Sequence, residues 1–109
     1  MTDEKYTYYP VCKVADVPNG HRIYVEFGGM IVVIFNIAGK FFATGDVCSH
    51  DNGPIGDGEL DGFQIICPRH GARFDIRDGK ALTLPAVRDI PSFPVKVAGE
   101  DIELGIPEE

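Results

Sequence analysis

The stretch from His21 to Thr44 constrains this chain more than any other part of it. His21-Arg22-Ile23-Tyr24-Val25-Glu26-Phe27 alternates polar and apolar residues, which fits a strand with one face buried. Gly28-Gly29 is a hairpin turn signal. Met30 to Ile37 follows, apolar and mostly β-branched around Phe35, as a more deeply buried strand that Asn36 interrupts near its end. Gly39-Lys40 marks a second tight turn, and Lys40 to Thr44 returns as a further strand. Strands joined by turns this short predict an antiparallel meander.

The flanks continue in the same style. Tyr6 to Val14 alternates loosely and ends at the turn Asp16-Val17-Pro18-Asn19-Gly20. Phe63 to Ile66 is a short strand leading into Cys67, and Arg73 to Ile76 is another, closed by Asp78-Gly79. Ser92 to Ala98, a turn at Gly99-Glu100 and Asp101 to Leu104 complete the pattern, with Ile106 to Glu109 expected to fray. No segment has the period of a long helix, and 13 Gly with 8 Pro supply more turns than a helical bundle would use. At 109 residues the chain is expected to be one all-β domain. Its antiparallel scaffold, 1–44 and 84–109, carries a loop-rich insert at about 45–83.

That insert is rich in Gly, Pro and acids: Gly45, Gly53, Pro54, Gly56 and Gly58 alternate with Asp46, Asp51, Asp57, Glu59 and Asp61. Such a segment lacks periodicity and needs something to pin it. It holds Cys48-Ser49-His50, then 16 residues, then Cys67-Pro68-Arg69-His70. Short loops presenting thiolate and imidazole suit a transition metal. A structural zinc site also accepts Cys and His, but zinc spacings usually pair Cys with Cys and His with His, often beside a helix. Here each loop supplies one of each, between strands.

Charge and flanking sequence narrow the partners. A net charge of −7 argues against nucleic acid, which needs a concentrated basic surface. It suits either steering toward a basic protein patch or plain solubility. No apolar run approaches the ~18 residues that cross a bilayer, so no membrane span is expected. The start, Met1 to Lys5, lacks the pattern of a secretory signal, and three cysteines make an odd set, so the cytoplasm is the expected compartment.

The spacing Cys-x-His, a gap of this size, then Cys-x-x-His resembles the Rieske family, as does Cys67-Pro68-Arg69-His70-Gly71 with Phe74-Asp75 after it. The resemblance covers nearly the whole chain. It implies a Rieske-like β-sandwich or barrel base with an inserted cluster-binding subdomain. It also implies one [2Fe-2S] cluster, with Cys48 and Cys67 on one iron and His50 and His70 on the other. Neutral imidazoles in place of two thiolates make such a cluster easier to reduce than one with four Cys ligands. The disulfide-bearing branch of bc-type complexes has an extra cysteine in each loop, where this chain has Gly53 (or its neighbour Asn52) and Arg69. That branch also places hydroxyl residues where Ala72 and Phe74 stand here, so a lower potential is implied.

The resemblance is therefore to soluble ferredoxins, monomeric carriers rather than enzymes. They take single electrons from a flavin-containing, NAD(P)H-dependent ferredoxin reductase and pass them to a terminal oxygenase, commonly one that hydroxylates aromatic rings. The docking tip would lie around His50 and His70. The small Rieske-like subunit of a nitrite reductase shares the fold but often lacks the ligands, and a zinc-stabilised interaction module is the reading from another class. Leu82 to Ala86 occupies the place of the family's proline-containing loop, expected as an apolar lid. Cys12 is expected to be a buried structural thiol and His21 to be exposed. Arg69, Arg73 and Arg77 are expected to raise the local potential, meet a partner, or form a solvated rim. The stretch Asp57 to Asp61 either faces a basic reductase or is a polar loop surface.

Overall fold

The structure is a computed structural model and describes residues 5–49, 51–86 and 88–108. Its strands are β1 (Tyr6–Lys13), β2 (Arg22–Phe27), β3 (Met30–Ile37), β4 (Lys40–Gly45), β5 (Leu60–Asp61), β6 (Gln64–Ile66), β7 (Arg73–Asp75), β8 (Ser92–Phe93), β9 (Val95–Ala98) and β10 (Asp101–Pro107). One 3₁₀ turn, Val14–Asp16, is the only helical element among the described residues. All strand pairings are antiparallel, in three sheets ordered β1-β10-β9, β2-β3-β4-β8 and β5-β6-β7. The expected all-β class stands. Among the described residues the two base sheets remain separate, which makes the base a sandwich and not a closed barrel. No helix among them is long and apolar enough to cross a membrane.

The meander forms as its residues dictate. β2 and β3 pair from Arg22↔Phe35 to Phe27↔Met30 around Gly28 and Gly29, whose φ of 60° and 82° suits residues without a Cβ. The next turn falls one residue earlier than the sequence suggests. Ala38 (φ 55°) and Gly39 (φ 85°) make it, and Lys40 already pairs with Ile37. Two asparagines hold Ala38 in that unfavourable region. Asn19 Oδ1 accepts the Ala38 N–H at 2.7 Å, and Asn36 Oδ1 accepts the Gly39 N–H at 2.9 Å. Asn36 is buried, and its Nδ2 also donates to the Val17 carbonyl at 2.7 Å. The residue that interrupts an apolar run is thus the brace of the turn after it.

β3 packs on both faces. Val32 and Ile34 join Val17, Ala43, Ile102 and Leu104 in a core between the two base sheets. Val33 and Phe35 point the other way and join Cys48, Ile55, Ile65, Cys67, Phe74 and Ile76 in a second core. Side chains alternate along a strand, so one apolar run serves two cores. β2 adds polar ties to the insert: Arg22 donates to the carbonyls of Gly56 and Gly58, and Tyr24 Oη donates to Asp57 Oδ1 at 2.6 Å. Burial, then that hydrogen bond, pushes the Tyr24 hydroxyl up to about 12. Phe42 of β4 meets Phe63 edge-on at 5.6 Å.

Two expectations for the tail need correction. Ser92 to Ala98 is not one strand. Pro94, which has no N–H to donate, separates β8, paired with β4, from β9, paired with β10. The end also does not fray where expected: Ile106 and Pro107 pair with Thr7 and Tyr6 in β1, and only Glu109 lies outside the described residues. Cys12 is half-buried against the base core, and burial, then Asp16, pushes its thiol up. His21 is exposed, as expected.

Asn36→Ala should destabilise the protein by about 2 kcal/mol in chemical denaturation, because it orphans a buried carbonyl and the turn N–H together. Gly58→Ala should cost about 2–3 kcal/mol by the same measurement, since its Cβ would stand 2.0 Å from the Ile66 carbonyl oxygen.

Candidate metal centre

Two loops built to the same plan carry the predicted donors. In the first, the Cys48 N–H donates to the Gly53 carbonyl at 2.7 Å and the Cys48 carbonyl accepts the Asn52 N–H at 2.7 Å. In the second, the Cys67 N–H donates to the Ala72 carbonyl at 2.7 Å and the Cys67 carbonyl accepts the Gly71 N–H at 2.9 Å. The residue four after each cysteine takes positive φ, 61° at Asn52 and 75° at Gly71. Each loop is therefore a closed backbone ring with a cysteine at its root. The first ring is braced further by Asp46 Oδ1, which accepts the N–H groups of Ile55 (3.0 Å) and Gly56 (2.7 Å). Asp51 Oδ1 accepts the Gly53 N–H at 2.9 Å, the two-residue reach of an Asx turn.

The rings bring the cysteines together. Cys48 is 0% exposed and Cys67 1%, and both lie in the same core, close enough for Cys48 to lower the Cys67 thiol. Burial pushes the Cys67 thiol up. The N–H groups of Arg69 and His70, the Cys48 contact and the Arg69 charge oppose it and leave the group below the usual thiol range. Thiolate is the form that binds metal, so buried paired sulfurs with amide donors aimed at one of them fit a thiolate-bound metal group. His70 stands on the second loop with its side chain 49% exposed and Nε2 3.7 Å from Asp51 Oδ2. His50, the fourth predicted donor, lies outside the described residues. Among the described residues no three Cys, His, Asp or Glu side chains gather about a point where one ion could sit.

The three arginines of this region are not a loose rim. Arg69 grips Asp51 across the two loops with Nε–Oδ2 at 2.6 Å and Nη2–Oδ1 at 2.9 Å, and its Nη1 donates to the Pro54 carbonyl at 2.7 Å. The Arg69 guanidinium, then the Gly53 N–H, hold the Asp51 carboxyl well below the usual carboxylate range. Arg73 pairs with Asp61 at 3.0 Å, and Arg77 pairs with Asp75 at 2.7 Å while lying over the Phe63 ring. Asp57 and Asp61 are therefore engaged with Tyr24 and Arg73, not offered freely along an acidic ridge. The expected lid is also different in detail. Ala86 packs into the cluster-side core, whereas Leu84 is 78% exposed. Thr83 Oγ1 accepts the N–H of Arg73 in β7 at 3.0 Å, which ties this segment to the strand after the second loop, and Ser49 Oγ of the first loop donates to the Arg88 carbonyl beyond the segment.

Sequence reasoning missed Asp46, Asp51, Arg22 and Tyr24 as the residues that set the loops in place. Asp51 two residues before Gly53 carries a readable local signal. Arg22 reaches carbonyls more than thirty residues away in sequence, and no local pattern announces that.

Residues 7–94 match the family described as Rieske [2Fe-2S] domain. The ferredoxin subunit of 3-phenylpropionate/cinnamic acid dioxygenase from Escherichia coli (strain K12) is 41% identical over 98 residues, which cover 89% of this chain and 92% of that protein. Among solved structures, a ferredoxin from Sphingomonas yanoikuyae B1 superposes with a TM-score of 0.83 at 32% identity, over 93% of this chain and all of that one (100%). The ferredoxin of carbazole 1,9a-dioxygenase from Nocardioides aromaticivorans IC177 gives 0.83 at 26% identity, over 90% of this chain and 96% of the other. With its fold, its paired buried cysteines and these relatives in agreement, the chain belongs to the Rieske [2Fe-2S] domain family.

Proposed function

We propose that this chain is the electron-carrying ferredoxin of a ring-hydroxylating oxygenase system, with Cys48, His50, Cys67 and His70 as ligands of one Rieske-type [2Fe-2S] cluster. The observation that carries this reading is the burial of two cysteines in one core at the roots of two matched loops. As the resemblance to the family implies, Cys48 and Cys67 would hold one iron and His50 and His70 the other. When bound, the cluster accepts and returns one electron, more readily than a four-cysteine cluster because two of its ligands are neutral.

The chain's own residues do the rest. Buried packing around Cys48 and Cys67 keeps water from the thiolates, and the Arg69 and His70 N–H groups offset negative charge on sulfur. Half-exposed His70 gives the cluster a short route to a docked protein. Residues 45–83 form the cluster-carrying insert on the sandwich. The relatives named as dioxygenase ferredoxins support a terminal oxygenase as the electron acceptor. A flavin-containing reductase that oxidises NAD(P)H is the donor, since a one-electron carrier needs a partner that divides hydride electrons. The carrier transforms no substrate itself.

The purified protein should be red-brown, bleach on dithionite and give a Rieske-type EPR signal when reduced, and His70→Ala should abolish that signal. A colourless protein, or a signal unchanged by the substitution, overturns the assignment. Stripping the metal with a chelator should lower the melting temperature by roughly 5 °C or more, because the bound group stabilises only the folded loops. Oxygenase turnover with a matched reductase should require this chain.

A further inference from the structure

We propose that Arg69 is a clasp that sets how fast the two ligand loops part and release their metal group; this rests on the cluster assignment above. Each loop is closed by its own backbone ring, and those bonds hold a loop to itself, not to its neighbour. Arg69 crosses the gap. From the second loop, one residue before His70, its three side-chain nitrogens reach both Asp51 oxygens and the Pro54 carbonyl on the first. Asp51 stands one residue after His50, so both ends of the clasp adjoin a predicted donor.

The fit is specific to this pairing. A Cβ at Gly53 would stand 2.7 Å from Arg69 Nη2 and 2.8 Å from its Cζ, so the guanidinium occupies space that only a glycine leaves open. The Gly53 N–H meanwhile holds Asp51 at the angle the fork requires. A planar fork can serve three acceptors at once, and a lysine ammonium on a flexible stem cannot hold the same set. A group gripped from both loops leaves only when they separate, and separation breaks all three bonds. Arg69 is thus a positioning residue that acts through the loops.

The test is the bleaching rate of the visible chromophore of the loaded protein in excess EDTA. Arg69→Met should bleach roughly tenfold faster, in line with the loss of a bidentate charged pair. Arg69→Lys should restore less than half of the difference on a logarithmic scale. Gly53→Ala changes no charge but displaces the guanidinium, and should accelerate bleaching several-fold. Lys13→Ala, which removes the exposed Lys13–Asp101 pair of the base, should bleach at the parental rate. Parental rates in both Arg69→Met and Gly53→Ala overturn the clasp, as does equal acceleration by Lys13→Ala. A parent protein without the chromophore overturns the cluster assignment instead.

Discussion

Over its central residues β3 has no side turned to water, and the arrangement of the whole molecule depends on that. Val32 to Phe35 are all fully buried, yet they serve different partners. The even-numbered pair closes the sandwich and the odd-numbered pair closes the core that contains both cysteines. A slip of one residue in the pairing of β3 would exchange the two sets and spoil both cores. Register is therefore fixed twice over, and the ligand loops inherit a base that cannot shift beneath them. The turn beyond β3 is fastened by Asn36, so the strand is anchored at its end as well as along its faces.

On that base, the loops solve a problem that Gly-rich segments usually fail. Few of their residues have regular structure, but most of their backbone groups near the cysteines are spoken for. The rings at Cys48 and Cys67, the Asp46 carboxylate and the Arg22 guanidinium replace the ladder hydrogen bonds that a strand would supply. An electron carrier gains from such a site, because geometry that is already set changes little when charge arrives. The same reasoning explains why the sulfurs are buried while His70 is not.

Much of this was legible in the amino-acid order. Alternation and Gly pairs announce the β2–β3 hairpin, and the Cys-x-His and Cys-x-x-His spacings point to the Rieske family that residues 7–94 match. What the order hid were effects of single atoms and long reach. Pro94 breaks an otherwise plausible strand by lacking one N–H. Ile106 and Pro107 look like a loose tail until β1, a hundred residues earlier, is seen to pair with them. Arg69 and Arg73 look like surface charge, because their carboxylate partners, Asp51 and Asp61, can be recognised only once the loops are folded. Ala38 adopts positive φ against its own preference, held there by its neighbour Asn36 and by Asn19 from nineteen residues away.

The sheet β1-β10-β9 has one more implication. Tyr6 and Pro107 are register partners in it, and among the described residues none of its side chains belongs to the core around the cysteines. The two ends of the described fold thus lie side by side, outside the core around Cys48 and Cys67. A short linker could join them, and new ends could be opened at an exposed turn such as Gly28-Gly29, giving a circular permutant. The same adjacency would let the domain be spliced into a host loop, or tethered by both ends to an electrode, without touching the core around Cys48 and Cys67.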